Sequence, residues 1–111
     1  MPYDQNLAEH IRTSLKIHPG VVEKKMFGGV GFILRGNMAC GVHGNDLIVR
    51  MGAENNDSAL SRSFVRPFMV MPGKPMAGWI LVAPEGIPTE QDLQYWVELG
   101  YKYASTLPEK V

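Results

Sequence analysis

Cys40 and His43 stand three residues apart, and a thiol beside an imidazole is a pairing that supports nucleophilic catalysis. The imidazole would favour the reactive thiolate. Both residues, however, belong to an apolar run typical of a β-strand, in which residues three apart point to opposite faces. Free cysteine is also among the residue types most often buried. We therefore predict a structural Cys40 and no catalytic residue, and a small Cys/His enzyme is the weaker alternative.

Nitrogen and sulfur side chains are also candidate metal ligands. The imidazoles and the thiol belong to His10, His18, Cys40 and His43. No two of them have the spacing of HxxxH or CxxC. Met69, Met71 and Met76 form a group of thioethers that copper(I) would accept. Because methionine more often fills core gaps or a contact surface, we predict no metal and no cofactor, and a metal-binding protein stays an alternative.

The glycine run Gly28-Gly29-Val30-Gly31 invites comparison with phosphate-binding loops. It matches neither GxGxxG nor GxxxxGK[ST], and a hairpin is expected after it where those motifs require a helix. The glycines are better explained by backbone geometry. We predict a tight turn or bulge at Gly28-Gly29 and a close backbone approach at Gly31.

Charge is balanced over the whole chain but uneven along it. Eleven Lys+Arg stand against eleven Asp+Glu, which excludes a polybasic protein. Residues 12–74 nevertheless carry nine basic and four acidic side chains. A basic face is predicted from Lys24, Lys25, Arg35, Arg50, Arg62 and Arg66. These could contact phosphates, so a nucleic-acid-binding accessory domain is an alternative function, although no known groove-reading or RNA-binding motif is present.

Length and composition indicate one globular domain covering residues 1–111. Hydrophobic residues make up 45% and charged residues 20%, which is enough apolar side chain for one core. A single cysteine cannot form an intrachain disulfide and favours a reducing compartment. The N-terminus has no apolar signal region, and no run reaches the roughly 18 apolar residues of a membrane span. We therefore expect a cytoplasmic protein without a membrane partner.

The N-terminal half predicts a helix followed by antiparallel strands. Leu7, Ile11 and Leu15 recur at helical spacing, and His18-Pro19-Gly20 should end this helix near Ile17. The β-rich runs that follow are Val22 to Met26, Val30 to Leu34, Met38 to Val42 and Leu47 to Met51. Arg35-Gly36-Asn37 and His43-Gly44-Asn45-Asp46 are turn sequences that tolerate positive φ, so these runs should pair as hairpins.

The second half predicts a weaker helix and a fifth strand. Residues Gly52 to Ser63 favour a short, exposed helix. The segment Val65 to Pro75 contains three prolines and should be a loop or an edge segment. Trp79 to Ala83 is the fifth β-rich run, and Pro84-Glu85-Gly86 ends it.

A long C-terminal helix is the clearest element of the sequence. Thr89 followed by Asp92 resembles a capping box with Asp in place of Glu. Apolar residues recur at helical spacing from Leu93 to Leu107, and Gly100 on that face would allow close approach to a sheet. Helices and antiparallel strands are segregated along the chain, so the fold class is α+β: about five antiparallel strands packed with N- and C-terminal helices.

Two blocks of the sequence resemble the TfoX/Sxy N-terminal domain family. The first runs from Lys24 to Phe32 and continues through Gly36 to Val42, and the second runs from Gly73 to Trp79 with Pro84-Glu85-Gly86 beyond it. The resemblance covers essentially the whole chain. It implies a secretion-chaperone-like α+β fold, and it carries no catalytic residues with it.

The resemblance also implies a regulatory role. TfoX/Sxy proteins are regulators of natural competence that act with a transcription activator on DNA-uptake genes and carry a second, C-terminal domain. We expect a stand-alone N-terminal domain here. The predicted function is a nonenzymatic regulatory or protein-interaction module with an unidentified protein partner, and a homodimer through a strand edge or helix face is a further expectation.

An apolar patch near a proline-rich edge is the sequence's best candidate for contact with a protein partner. It consists of Phe68, Met69, Met71, Met76 and Trp79. The alternative is that these residues close the hydrophobic core.

Overall fold

Three α-helices and six β-strands are formed by the part of the chain that the computed structural model describes, residues 3–26, 29–52, 54, 56–71 and 74–109. The helices are α1 (Gln5–Ser14), α2 (Asn56–Leu60) and α3 (Glu90–Ser105). The strands are β1 (Val21–Met26), β2 (Gly29–Leu34), β3 (Asn37–His43), β4 (Asp46–Arg50), β5 (Val65–Met71) and β6 (Lys74–Val82). Among these helices none is both long enough and apolar enough to cross a membrane.

The strands form one antiparallel sheet in the order β1-β2-β3-β4-β6-β5. This confirms the predicted α+β class with helices at both ends of the chain. The expected number of strands was about five, and the sixth comes from the proline-containing segment at positions 65–75. Its first part is the edge strand β5. Pro67 lacks a backbone N–H, and an edge strand tolerates this loss of a hydrogen-bond donor better than an interior strand does. β6 also begins at Lys74, five residues before the predicted Trp79.

The predicted hairpins on both sides of β3 are present. Arg35 (φ 51°) and Gly36 (φ 83°) form the two-residue connection between β2 and β3, and positive φ at both positions suits the twist of a tight hairpin. Gly44 (φ 62°) serves the next turn. Of the predicted Gly28-Gly29 turn, Gly28 lies outside the described residues, and Gly29 begins β2 opposite Met26.

Both long helices begin at a side-chain cap, and the cap at Thr89 confirms the prediction. Asp4 accepts hydrogen bonds from the backbone N–H groups of Asn6 and Leu7 at the start of α1. Thr89 accepts one from the N–H of Asp92 at the start of α3, and its hydroxyl donates to the Asp92 carboxylate. After Ser14 a short 3₁₀ turn continues α1 to residue 17, where the predicted helix was to end.

The main core lies between one face of the sheet and helices α1 and α3. Buried Ile11, Phe32, Val49 and Trp96 belong to this cluster. Gly100 confirms the predicted close approach, because a methyl group there would overlap the carbonyl oxygen of Ala39 on β3. The small residue thus sets the spacing between α3 and the sheet.

A second, smaller cluster occupies the opposite face of the sheet. Its buried members are Met38, Ile48, Phe68 and Leu81. Along β4, Ile48 lies between Leu47 and Val49 of the main core. Successive side chains of a strand point to opposite faces of the sheet, so the two clusters lie on opposite faces. Both faces of the central sheet are therefore apolar.

Candidate functional site

The Cys40 thiol lies in the main core and is fully buried. Desolvation raises the pKa of this thiol to about 12, which disfavours the thiolate. His43 is exposed on the other face of β3. Its ring and that of Phe68 pack edge to face, with ring centroids 6.0 Å apart. The predicted structural Cys40 is confirmed as a buried residue, and the structure does not bring the thiol and the imidazole together.

The histidines are likewise separated by the fold. His18 lies after α1, where its Nε2 is 2.7 Å from a carboxylate oxygen of Glu98 and its ring stacks on Tyr101 at 3.7 Å. His10 lines a groove between α1 and α3. Within the described ranges, no three His, Cys, Asp or Glu side chains converge on a metal-binding arrangement.

The predicted apolar contact surface is only partly on the surface. Phe68 is 4% exposed and belongs to the second cluster, so it closes the core instead of presenting a free ring. Trp79 is half-buried beside it, with ring centroids 6.3 Å apart. Met69 and Met71 lie on β5 and Met76 on β6, and their side chains lie outside the described part of the structure.

Two of the predicted basic residues are stacked on aromatic rings. The Arg50 guanidinium lies 5.0 Å from the ring centre of Trp79 and 5.6 Å from that of Tyr103. Gly52 (φ 86°) gives Tyr103 room, because a methyl group at this position would collide with the ring. Cation–π contact holds Arg50 against the end of the sheet while leaving the edge of its guanidinium free to donate hydrogen bonds.

Arg62 is held in a similar way nearer the start of α3. Its guanidinium lies 5.0 Å from the Tyr95 ring centre and 4.8 Å from that of Trp96. The three groups border a small pocket of about 90 Å³. Sequence reasoning found both arginines but not their pairing with aromatic rings, because the aromatic residues are more than 25 positions away along the chain and no local pattern links them.

The remaining members of the predicted basic face are dispersed. Lys24 and Lys25 are exposed on β1. Arg66 lies on β5, at the opposite edge of the sheet, and forms an ion pair with Asp46. Arg35 donates from its turn to the backbone carbonyl of Ser105, at 2.9 Å. The structure therefore does not gather the six residues on one face.

An ion pair that the sequence did not reveal joins α1 to the edge strand β1. Arg12 donates from two nitrogens to the two carboxylate oxygens of Glu23, at 2.7 and 2.8 Å. This hydrogen-bonded pairing holds the pKa of Glu23 below its usual value and raises that of Arg12. A cavity of about 330 Å³ lies beside the pair, with Lys16 and His18 among its lining residues.

The family model of the TfoX N-terminal domain matches residues 13–104, from within α1 to the last turn of α3. The chain belongs to the TfoX N-terminal domain family. This confirms the resemblance found in the sequence. No curated protein and no solved structure matches the chain.

The family-like residues of this TfoX N-terminal domain build its central strands. Val30 and Phe32 are buried in the main core. A methyl group on Gly41 would overlap the carbonyl oxygen of Val30 and the end of Met38, so the glycine permits close packing of β2 against β3. Phe27, Gly28 and Gly73 of the two blocks lie outside the described residues.

Proposed function

We propose that this TfoX N-terminal domain is a nonenzymatic, cytoplasmic regulatory or protein-interaction module of the kind found in competence regulators. The observation that carries the proposal is the family match over residues 13–104, which includes most of the chain. Competence regulation and control of transcription are the roles that membership in the family favours.

The use of the family-like residues supports an action through the surface. Phe32 and Cys40 are buried in the core. Gly41 allows β3 to lie close to β2, and Gly100 allows α3 to lie close to β3. Buried apolar residues and glycines of this kind specify a fold more directly than a reaction. Recognition would then fall to side chains around the core.

The half-buried Trp79 is the described residue of the predicted apolar patch that best fits contact with a protein partner. Its ring neighbours both buried Phe68 and the Arg50 guanidinium, so the ring is held in place. Tryptophan and arginine are enriched in the energetic centres of protein interfaces. Trp79 and Arg50 thus form a rigid, partly exposed pair.

The test is capture of partners in living cells by in-cell crosslinking to the tagged chain. We expect at least one protein to be enriched reproducibly, and Trp79→Gln to lower its recovery severalfold while thermal unfolding shows a folded variant. Tyr95→Gln is the matched control, because Tyr95 is an exposed aromatic residue on α3.

Sedimentation velocity of the purified chain completes the test by measuring the expected homodimer. No captured protein together with a strictly monomeric chain would contradict an interaction module.

A further inference from the structure

The two edges of the sheet differ in their capacity to accept another strand. β1 pairs with β2 on one side, and no strand of the described chain pairs with its other side. It is a regular six-residue strand without proline. β5 at the opposite edge contains Pro67 and has an irregular register with β6. Because strand addition requires free backbone N–H and C=O groups in register, β1 is the better edge for it.

The side chains of β1 give this edge a positive charge on both faces. Lys24 and Lys25 are exposed and, as neighbours in a strand, point to opposite faces. Neither forms an ion pair with a carboxylate of the described residues. The acidic residue of the strand, Glu23, is already engaged by Arg12.

A cavity and an apolar side chain extend the same edge. The cavity of about 330 Å³ beside β1 is lined by Lys16, which also has no ion-pair partner among the described residues, together with Val21 and Phe32. Val22 is 61% exposed on the other side of the strand. A seventh strand here would meet a lysine and an apolar contact on each face.

We propose that β1 docks an extended acidic segment of a partner protein, which adds to the sheet as a seventh strand and directs carboxylates toward Lys24 and Lys25. This rests on the proposed function as a protein-interaction module and specifies its partner chemistry. A second copy of the chain fits less well, because its own β1 would bring lysines toward lysines. The occupant is therefore acidic and distinct from the chain itself.

The experiment uses a synthetic ten-residue peptide in which pairs of glutamates alternate with pairs of threonines, titrated into the ¹⁵N-labelled chain. As an extended strand, this peptide presents carboxylates on both faces. We expect the amide signals of residues 21–26 to shift and their hydrogen exchange to slow, since free edge amides acquire acceptors. The affinity should fall as salt rises. The corresponding peptide with lysine in place of each glutamate should not bind.

Two matched changes separate strand addition from charge attraction alone. The double variant Lys24→Glu/Lys25→Glu should bind the acidic peptide at least about tenfold more weakly. Lys102→Glu reverses the charge of one lysine at an exposed position on α3 and should leave the affinity unchanged. An acidic peptide with alternate backbone amides N-methylated keeps its charge but loses donors, and it too should bind at least about tenfold more weakly.

Several results would overturn the proposal. Equal binding of the N-methylated peptide, or equal binding by the double variant, would show that no strand is added at β1. Binding of a DNA duplex at residues 21–26 that is tighter than that of the acidic peptide would identify a phosphate-contact surface instead. If the double variant still captures the partners crosslinked in cells, the docking edge is wrong although the interaction module stands.

Discussion

At the scale of single residues, Cys40 shows how burial removes chemical reactivity. With a pKa near 12 the thiol would be deprotonated in only roughly one molecule in ten thousand at pH 8. Burial in the core also denies reagents access to the sulfur. We expect an aromatic disulfide reagent to leave the folded chain unmodified and to label one thiol after denaturation. Rapid labelling of the folded protein at full stoichiometry would show that Cys40 is accessible.

The pair of Arg12 and Glu23 should make stability depend on acidity. Because the pKa of Glu23 is lower in the folded chain than in the unfolded one, its ion pair stabilises the fold above the unfolded pKa of about 4.3. This contribution is lost as the pH falls through the folded pKa. Glu23→Gln should therefore lower the free energy of unfolding by on the order of 0.5–1 kcal/mol at pH 7 and have little effect near pH 3.

Urea unfolding of the parent chain and the variant at both pH values measures this difference. Glu85→Gln is the control, since Glu85 is exposed in the 3₁₀ turn before α3. An effect of Glu23→Gln that is the same at pH 3 and pH 7 would assign it to something other than the charge of the carboxylate.

At the scale of elements, Gly100 determines how α3 lies on the sheet. Alanine is the better helix former by about 1 kcal/mol, so propensity alone predicts that Gly100→Ala stabilises the chain. The added methyl group would, however, overlap the backbone of Ala39, which cannot rotate away. We expect a net loss of about 1–3 kcal/mol in the free energy of unfolding.

Denaturant unfolding checks this expectation, with Gln91→Ala at an exposed position of α3 as the control for helix propensity. The control should change the free energy of unfolding by less than about 0.5 kcal/mol. A Gly100→Ala variant more stable than the parent would mean that α3 can move away from β3 without loss.

The elements that the sequence predicted correctly depend on local patterns. The cap at Thr89 and the turn at Arg35-Gly36 are set by residues within a few positions of one another. β5 was harder to predict, because Pro67 is excluded from an interior strand but tolerated at an edge. The order of all strands in the sheet determines whether β5 lies at an edge. The sequence of the segment alone therefore could not show whether it forms a strand.

The candidate sites were less predictable than the fold for the same reason. Composition and type pointed to Arg50, Arg62 and Trp79, but their environments depend on contacts between distant segments. Arg12 meets Glu23 across 11 positions, and His18 meets Glu98 across 80. The periodicity of a sequence does not predict such contacts. That Lys16 has no ion-pair partner among the described residues could likewise be seen only in the folded structure.

At the scale of the whole molecule, the distribution of charge argues against strong binding of nucleic acid. The chain has no net charge, and the predicted basic residues are divided between opposite edges of the sheet and the ends of strands. We expect fluorescence anisotropy to show weak duplex binding at about 50 mM salt that disappears by about 150 mM, because few phosphates can be contacted together. Tight, sequence-dependent binding at about 150 mM salt would favour the accessory DNA-binding function instead.

Both described ends of the chain are tied to the same interior strand. The backbone N–H of Asp4 donates to Gly44 just beyond one end of β3, while Asn37 at the other end donates to the carbonyl of Pro108. These attachment points are about 20 Å apart along the strand. Tension applied to either end of the chain would reach β3 through its attachment there, and these few hydrogen bonds would break before the ladders that join β3 to β2 and β4. A protease motor that grips one end would thus first peel that end away from β3 while the sheet stays paired.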